Sequence, residues 1–262
     1  MTCSIITITY NNLDGLRRTA DSVSAQTYRD MEWVVVDGGS TDGTKEWLDN
    51  AQWTMHNAPH ILSEPDKGVY DAQNKGIRLA KGEFCFFLNA GDSFCRADVL
   101  ERMMAMPLDA DIVYGNEVVV DAEGKRVGYC KGVENPGFVD LYNSCMKHQA
   151  TFIRRALFEK YGEYDSSLRI CADWEWFFRV IGFHDEVRLC YRDVDVAWFE
   201  NTGLSYHNPE LCRRERQEIL DRYMSKRLQQ DYAVYGRYPR IAKMSFQRLP
   251  RLLIRIDNRL LK

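Results

Sequence analysis

The chain has 262 residues, of which 45% are hydrophobic, 28% charged and 12% aromatic, with 7 Pro and 17 Gly. That make-up fits a soluble globular protein of one large domain or two small ones, and it excludes disordered, collagen-like and mucin-like chains. Thirty-five Lys plus Arg against 38 Asp plus Glu give a net charge of −3, which predicts no nucleic-acid partner, yet Ser225 to Lys262 holds ten basic residues against two acidic ones, so an acidic body carries a basic tail.

Ser4 to Tyr10 is a short β-branched run ending in Asn11-Asn12, a strand feeding a helix that either Asn can cap. Leu13, Leu16, Ala20 and Val23 then recur at the spacing of one buried helical face. Glu32 to Asp37 is continuously apolar between its end charges, as a strand covered on both faces would be. Thr41 or Asp42 caps a helix from Gly43 to about Asn50, His60 to Ser63 is a weak third strand, and Val69 to Ala80 is a helix closed by Gly82 in a left-handed conformation. Phe84 to Leu88 is a central strand.

Strands alternating with helices at this spacing predict β-α-β units and a mostly parallel sheet, whose ligands sit beyond the carboxyl ends of the strands. Thr9 to Asn11, Asp37 to Ser40 and Asn89 to Asp92 should therefore share one crevice. After Asp92 the rhythm changes to a helix near Ala97 to Met106, then a hairpin of Asp111 to Val120 and Lys125 to Cys130 around Glu123-Gly124, then mixed short elements. The expected organisation is a ligand-binding half at 1–95, a second half of the same domain at 96–208 that shapes a further subsite, and a basic helical tail at 209–262.

Eight widely spaced cysteines without a C-x-x-C pair read as reduced thiols of a cytoplasmic protein. No basic residue precedes Arg17 and no apolar run approaches the ~18 residues of a membrane span, so neither export nor a bilayer crossing is expected.

The turn after the second strand resembles two known motifs and fits neither. Gly38-x4-Gly43 is followed by Thr44-Lys45, the inverse of the phosphate-loop order. As a calcium loop it would place Gly39 and Leu48 where oxygen ligands are needed. A glycine-rich turn opening a helix does favour anionic oxygens. Asp92, emerging after an apolar strand, is a reasonable start for Mg²⁺ or Mn²⁺ shared with phosphate oxygens and water.

Six segments in one order carry a resemblance: Ser4 to Asn11, Val35 to Thr44, Ser63 to Gly76, Phe87 to Asp92, His148 to Phe152 and Ala172 to Glu175. Together, over roughly residues 3 to 205, the chain resembles the family 2 glycosyltransferases of the GT-A fold, in look nearest the branch that builds bacterial exopolysaccharides such as colanic acid. The resemblance implies a Rossmann-like α/β fold with a C-terminal helical extension, and an inverting transfer from a nucleotide sugar, UDP being the family-weighted base, to a glycan or lipid-linked glycan. It sets Thr9, Tyr10, Asn11, Asp37, Asp66, Asp71, Asn74 and Asn89 around the nucleotide sugar, Asp92 at a divalent cation, Asp173 as catalytic base, and His148, Gln149 and Trp174 at phosphate or acceptor. The chain departs from the commoner pattern at Gly38, Asn89 and Gly91, where many members have Asp, leaving a cation more dependent on diphosphate and water. A scaffold subunit that keeps the fold without the chemistry is the alternative.

Three readings of the residues stay open at this level. Asp173 either acts as a base or caps the helix of Trp174 to Phe178, and Trp174 and Trp176 either stack on sugar or fill the core. In the tail, Leu249, Leu252, Leu253, Ile256 and Leu260 form a helical stripe flanked by Arg248, Arg251, Arg255 and Arg259. Such a helix lies on an anionic membrane surface, each cation contributing roughly 1 kcal/mol, or packs on protein.

Overall fold

The β-branched run at the amino end forms β1 (Cys3–Thr9), whose side chains are buried on both faces apart from Ile8. The structure, a computed structural model, describes residues 2–51, 58–105, 109–143, 146–201 and 203–235. Asn12 caps α1 (Leu13–Ser24) by accepting from the N–H of Gly15, and the buried face of that helix includes Leu16, Ala20 and Val23. β2 (Met31–Asp37) is buried throughout and leads into α2 (Thr44–Asn50). Gly43 takes φ +92° at the start of α2, and Asp42 accepts from both the N–H and the hydroxyl of Thr44. β3 (His60–Ser63), α3 (Val69–Leu79) and β4 (Phe84–Phe87) complete the first half.

Gly82 is not left-handed as expected. The helix ends on Ala80 in an extended conformation, and Gly82 is glycine for another reason: a Cβ there would stand 2.6 Å from the backbone nitrogen of Ser4. The chain runs against β1 at this point, with the Gly82 N–H donating to the Ser4 hydroxyl and to the buried carboxylate of Glu32.

The second half comprises β5 (Ser93–Phe94), α4 (Val99–Met103), β6 (Ile112–Val120), β7 (Arg126–Cys130), α5 (Phe138–Asn143), a 3₁₀ turn His148–Ala150, β8 (Thr151–Arg154), α6 (Arg155–Tyr161), α7 (Ala172–Gly182), β9 (Leu189–Glu200) and α8 (Leu204–His207). α9 (Pro209–Tyr223) and α10 (Lys226–Tyr235) follow. The β6–β7 hairpin turns at Gly124, which takes φ +76°.

One nine-stranded sheet runs β3-β2-β1-β4-β8-β6-β9-β5, with β7 pairing β6. The first four strands are mutually parallel, β8 is antiparallel to both β4 and β6, and β6 pairs parallel with β9. Register brings Thr9 beside Asp37 and Asp37 beside Ser63, so the carboxyl ends of β1, β2 and β3 lie on adjacent rungs. The core is aromatic where the two halves meet: Phe86 stacks between Phe94 and Phe152 at centroid distances of 5.2 and 4.2 Å, all three buried. Each such ring contributes roughly 1.5–3 kcal/mol by burial, which anchors β4 and the loop after it.

The chain forms two compact units, Met1–Ile219 and Leu220–Lys262. Among the described residues no helix is long and apolar enough to cross a membrane. The amphipathic stretch 249–260 lies outside the described residues.

Candidate active site

Three strand ends and the start of α3 build one side of the site. Asp37 is fully buried, and its carboxylate accepts from the N–H and hydroxyl of Ser40 and, at 2.7 Å, from the Ser63 hydroxyl. It therefore shapes the Gly38-to-Ser40 turn. Asn11, at φ +49°, ties the β1 loop to that turn: its N–H donates to Ser40 Oγ at 2.8 Å and its Oδ1 accepts from the Thr41 N–H at 2.8 Å. Thr9 Oγ1 is buried with no hydrogen-bond partner among the described residues, and the neighbouring Tyr10 is 64% exposed. An orphaned hydroxyl beside an exposed ring is what a bound planar polar group would complete.

Gly38 is explained by its surroundings. A Cβ there would meet Asp66 Oδ2 at 2.3 Å and the Tyr10 ring at 3.4 Å, so the Asp66 carboxylate fills the space a side chain at 38 would take. Its other oxygen accepts from the Gly68 N–H at 2.8 Å, fixing the loop before α3. Asp71 accepts from the Lys67 N–H at 3.0 Å and pairs with Lys75 at 3.8 Å, which stabilises the same loop. Asn74 does not border this space. It is buried, and its amide both donates to the Tyr164 carbonyl and accepts from the Tyr164 N–H, at 2.8 and 3.0 Å, so its role is structural.

The loop after β4 is held by α1. Thr19 donates to the Asp92 carbonyl at 2.7 Å and accepts from the Gly91 N–H, while Asn12 donates to the Ala90 carbonyl. Gly91 takes φ +109°, a conformation that disfavours any residue carrying a Cβ. Asp92 is thereby buried, and its carboxylate accepts from the Glu200 N–H at 3.2 Å. Burial pushes its carboxyl up to about 7; the Glu200 N–H and His148 lower it, whereas Glu117 and Glu200 add to the rise.

The remaining groups converge on Asp173. It stands in the first turn of α7, whose N-cap is Cys171, so it is not the cap. Its Oδ1 lies 2.9 Å from the Tyr70 hydroxyl, which also donates to the Ile170 carbonyl at 2.5 Å, and its Oδ2 lies 3.1 Å from His148 Nδ1. His148 Nε2 faces Asn89 Nδ2 at 3.5 Å, and Asn89 Oδ1 accepts from Gln73 Nε2 at 3.4 Å. Because Asn89 Nδ2 is a donor, the consistent tautomer carries its proton on Nδ1 and donates to Asp173. Burial opposes the charge on Asp173, but the hydrogen bond and charge of His148, the Tyr70 hydroxyl and the Trp174 N–H outweigh it and hold the carboxyl below its ordinary range. The His148 and Asp173 side chains each retain 14% exposure, so solvent and ligands reach a poised, ionised carboxylate.

Two expected contacts give way to the core. Trp174 is 2% exposed, donates from Nε1 to the Leu141 carbonyl and lies 3.9 Å under the Arg216 guanidinium, and Trp176 is buried with Nε1 on the Gly162 carbonyl. Neither face is open to a sugar. Gln149 is also buried, beside His148 in the 3₁₀ turn.

Sequence reasoning passed over Tyr70, Gln73 and Glu117. The first two share the buried face of α3, which spacing from Ile77 would have identified. Glu117, buried on β6, accepts from the Cys130 thiol; burial raises its carboxyl while Lys147 and His148 draw it down. Cys130 and Lys147 both line a cavity of about 420 Å³ with Tyr114, Tyr129 and Lys131.

No group of three or more His, Cys, Asp and Glu able to hold a metal occurs among the described residues. The donor chemistry nevertheless suits a hard cation that shares its shell with phosphate and water: one buried carboxylate, Asp92, in surroundings made more negative by Glu117 and Glu200.

A parallel half-sheet whose strand ends hold polar turns, joined to a mixed half that supplies the buried Asp173 carboxylate, is the arrangement of a GT-A-type α/β fold. Residues 4–179 match the family described as glycosyl transferase family 2. A PGL/p-HBAD biosynthesis glycosyltransferase of Mycobacterium bovis is 37% identical over 205 residues, 77% of this chain and 78% of that one. The chain belongs to glycosyl transferase family 2 and is a glycosyltransferase; its likeness to colanic-acid enzymes is only loose. In fold it resembles Staphylococcus aureus TarS 1-349 in complex with UDP-GlcNAc, at TM-score 0.63 and 17% identity over 91% of this chain and 73% of that one. It also resembles the mannosyltransferase PcManGT of Pyrobaculum calidifontis in complex with GDP-Man and Mn²⁺, at TM-score 0.56 and 21% identity over 82% and 60%.

Proposed function

We propose that the protein is an inverting glycosyltransferase that moves a sugar from a nucleotide donor, a UDP-sugar by preference, to a hydroxyl of a glycan or lipid-linked glycan in cell-surface polysaccharide or glycolipid synthesis. The observation that carries this reading is the Asp173 carboxylate, held ionised by Tyr70 and His148 within the hydrogen-bond chain that also includes Asn89.

Thr9, Tyr10 and Asp66 receive the base and ribose, the Asn89-to-Asp92 loop faces the diphosphate, and the acceptor enters from the cavity beside Lys147. Asp173 takes the proton of the attacking hydroxyl, and His148 orients that carboxylate through Nδ1. Attack from the face opposite the leaving group inverts the anomeric centre. Asp92 would hold a divalent cation, which when bound supplies positive charge against the leaving diphosphate. The relatives' printed ligands, UDP-GlcNAc in one case and GDP-Man with Mn²⁺ in the other, support a nucleotide-sugar donor and a cation. From its sequence, the basic tail rests the enzyme on an anionic membrane surface on the cytoplasmic side, where lipid-linked acceptors lie.

The experiment is a panel of UDP-, GDP-, CMP- and dTDP-sugars scored by thermal shift with and without Mn²⁺, followed by nucleoside diphosphate release. Stabilisation and turnover with one base are expected. Binding without turnover of any donor, across glycan and lipid-linked acceptors, would refute the reading.

A further inference from the structure

A carboxylate outside the matched family region grips the chain just before the proposed base. Glu215, on α9, is 4% exposed. Its Oε1 accepts from the N–H of Arg169 at 2.8 Å, and its Oε2 accepts from the N–H groups of Ile170 and Cys171 at 2.9 and 3.0 Å. Three consecutive backbone donors thus close on one side chain. α7 begins at the next residue, and Cys171 gives it no side-chain cap, so this grip takes the place of a local one. Such a carboxylate collects charge-assisted bonds that neutral acceptors match only in part.

The grip reaches the chemistry through one peptide. The Ile170 N–H is held by Glu215 and the Ile170 carbonyl by the Tyr70 hydroxyl, and that hydroxyl stands 2.9 Å from Asp173 Oδ1. The same helix adds weaker contacts nearby: the Cys171 and Cys212 sulfurs lie 3.3 Å apart, and Arg216 covers Trp174 while donating to the Tyr142 carbonyl. We propose that Glu215 is a positioning residue of the transfer reaction, which fixes the 169–171 segment and through it the mutual geometry of Tyr70 and Asp173. This rests on the assignment of Asp173 as base.

The test compares Glu215→Gln with Glu218→Gln, an exposed position on the same helix, in the full chain. A misplacement near 1 Å at a reacting group lowers rate by about 10²-fold. Glu215→Gln is therefore expected to lower kcat by ~10- to 100-fold while leaving the donor KM within ~3-fold, and Glu218→Gln to change neither. Amide hydrogen exchange at 169–171 is expected to quicken by at least ~10-fold in Glu215→Gln alone. If Glu215→Gln does not fold, Glu215→Asp, whose shorter arm falls away from the three donors, takes its place. Unchanged exchange at 169–171 overturns the proposal, as does a fall in kcat and donor affinity together with a collapse in melting temperature. Should the wild type turn over no donor, the transferase reading fails separately, and the exchange measurement still decides whether Glu215 fixes the segment.

Discussion

Replacing Asp173 by Asn removes the charge of the proposed base and little else. An amide oxygen still accepts from the Tyr70 hydroxyl, and His148 can turn its lone pair toward the new NH₂ by exchanging tautomers. A positioned base contributes about 10²–10⁴ in rate, which at 1.36 kcal/mol per tenfold is about 3–5 kcal/mol in activation free energy. The expected result is a fall in kcat of that size with an unchanged donor KM, because Thr9, Tyr10 and Asp66, the proposed donor contacts, are untouched. Folding should shift by no more than about 1–2 kcal/mol, the scale of one or two charge-assisted bonds set against a relieved desolvation cost. The sign with pH is fixed: the folded-state pKa of Asp173 is depressed, so its contribution is present above the unfolded value of 3.8 and is lost as pH falls through the folded value. The assay is nucleoside diphosphate release at saturating donor, with melting curves at pH 7 and pH 3. A variant that folds and retains kcat within tenfold of wild type would show that Asp173 is not the base.

Other outcomes follow from the same geometry. Tyr70→Phe should lower kcat by roughly 10-fold and raise the apparent pKa of the acidic limb, since it removes a donor from the Asp173 carboxylate; an unmoved limb in a pH–rate profile contradicts this. Asp92 keeps its proton in the fold up to about pH 7 whereas the unfolded chain releases it near 3.8, so its stabilising contribution fades as pH rises through that window. Asp92→Asn should accordingly raise the unfolding free energy at pH 8, by at most about 4 kcal/mol, and not at pH 3, while abolishing stabilisation by Mn²⁺; equal Mn²⁺ shifts in both proteins place the cation elsewhere. Gly82→Ala should cost about 2–4 kcal/mol in a denaturant titration, because the new methyl meets the Ser4 backbone and not a movable side chain. Removing residues 241–262 should end sedimentation with anionic liposomes, and a truncated protein that still pellets would refute the tail's role.

The sheet was legible because its signals are local and redundant. β-branched runs, caps such as Asn12, and glycine turns each point to the same alternation. The strand-end crevice was legible for a related reason: parallel register aligns Thr9 and Asp37 without any knowledge of side-chain direction. What spacing did not disclose was direction. Asn74 and Asp71 are three residues apart on α3, yet one clamps the Tyr164 backbone inside the core and the other braces an exposed loop, while their neighbours Tyr70 and Gln73 reach the base and its hydrogen-bond chain. Trp174 reads equally well as a sugar platform or a core residue until the Leu141 carbonyl is found at its indole N–H. Glu215 was hidden by its company, since it lies in a charge-dense stretch that reads as a surface, and only long-range packing turns it inward.

The grip of Glu215 on the 169–171 segment also bears on how the enzyme comes into being. As the ribosome extrudes the chain, every described strand and Asp173 emerge before α9. The nascent polypeptide can thus collapse around its sheet while the brace for Asp173 is still inside the exit tunnel, and competence for transfer is expected to switch on late, when the helix bearing Glu215 is released.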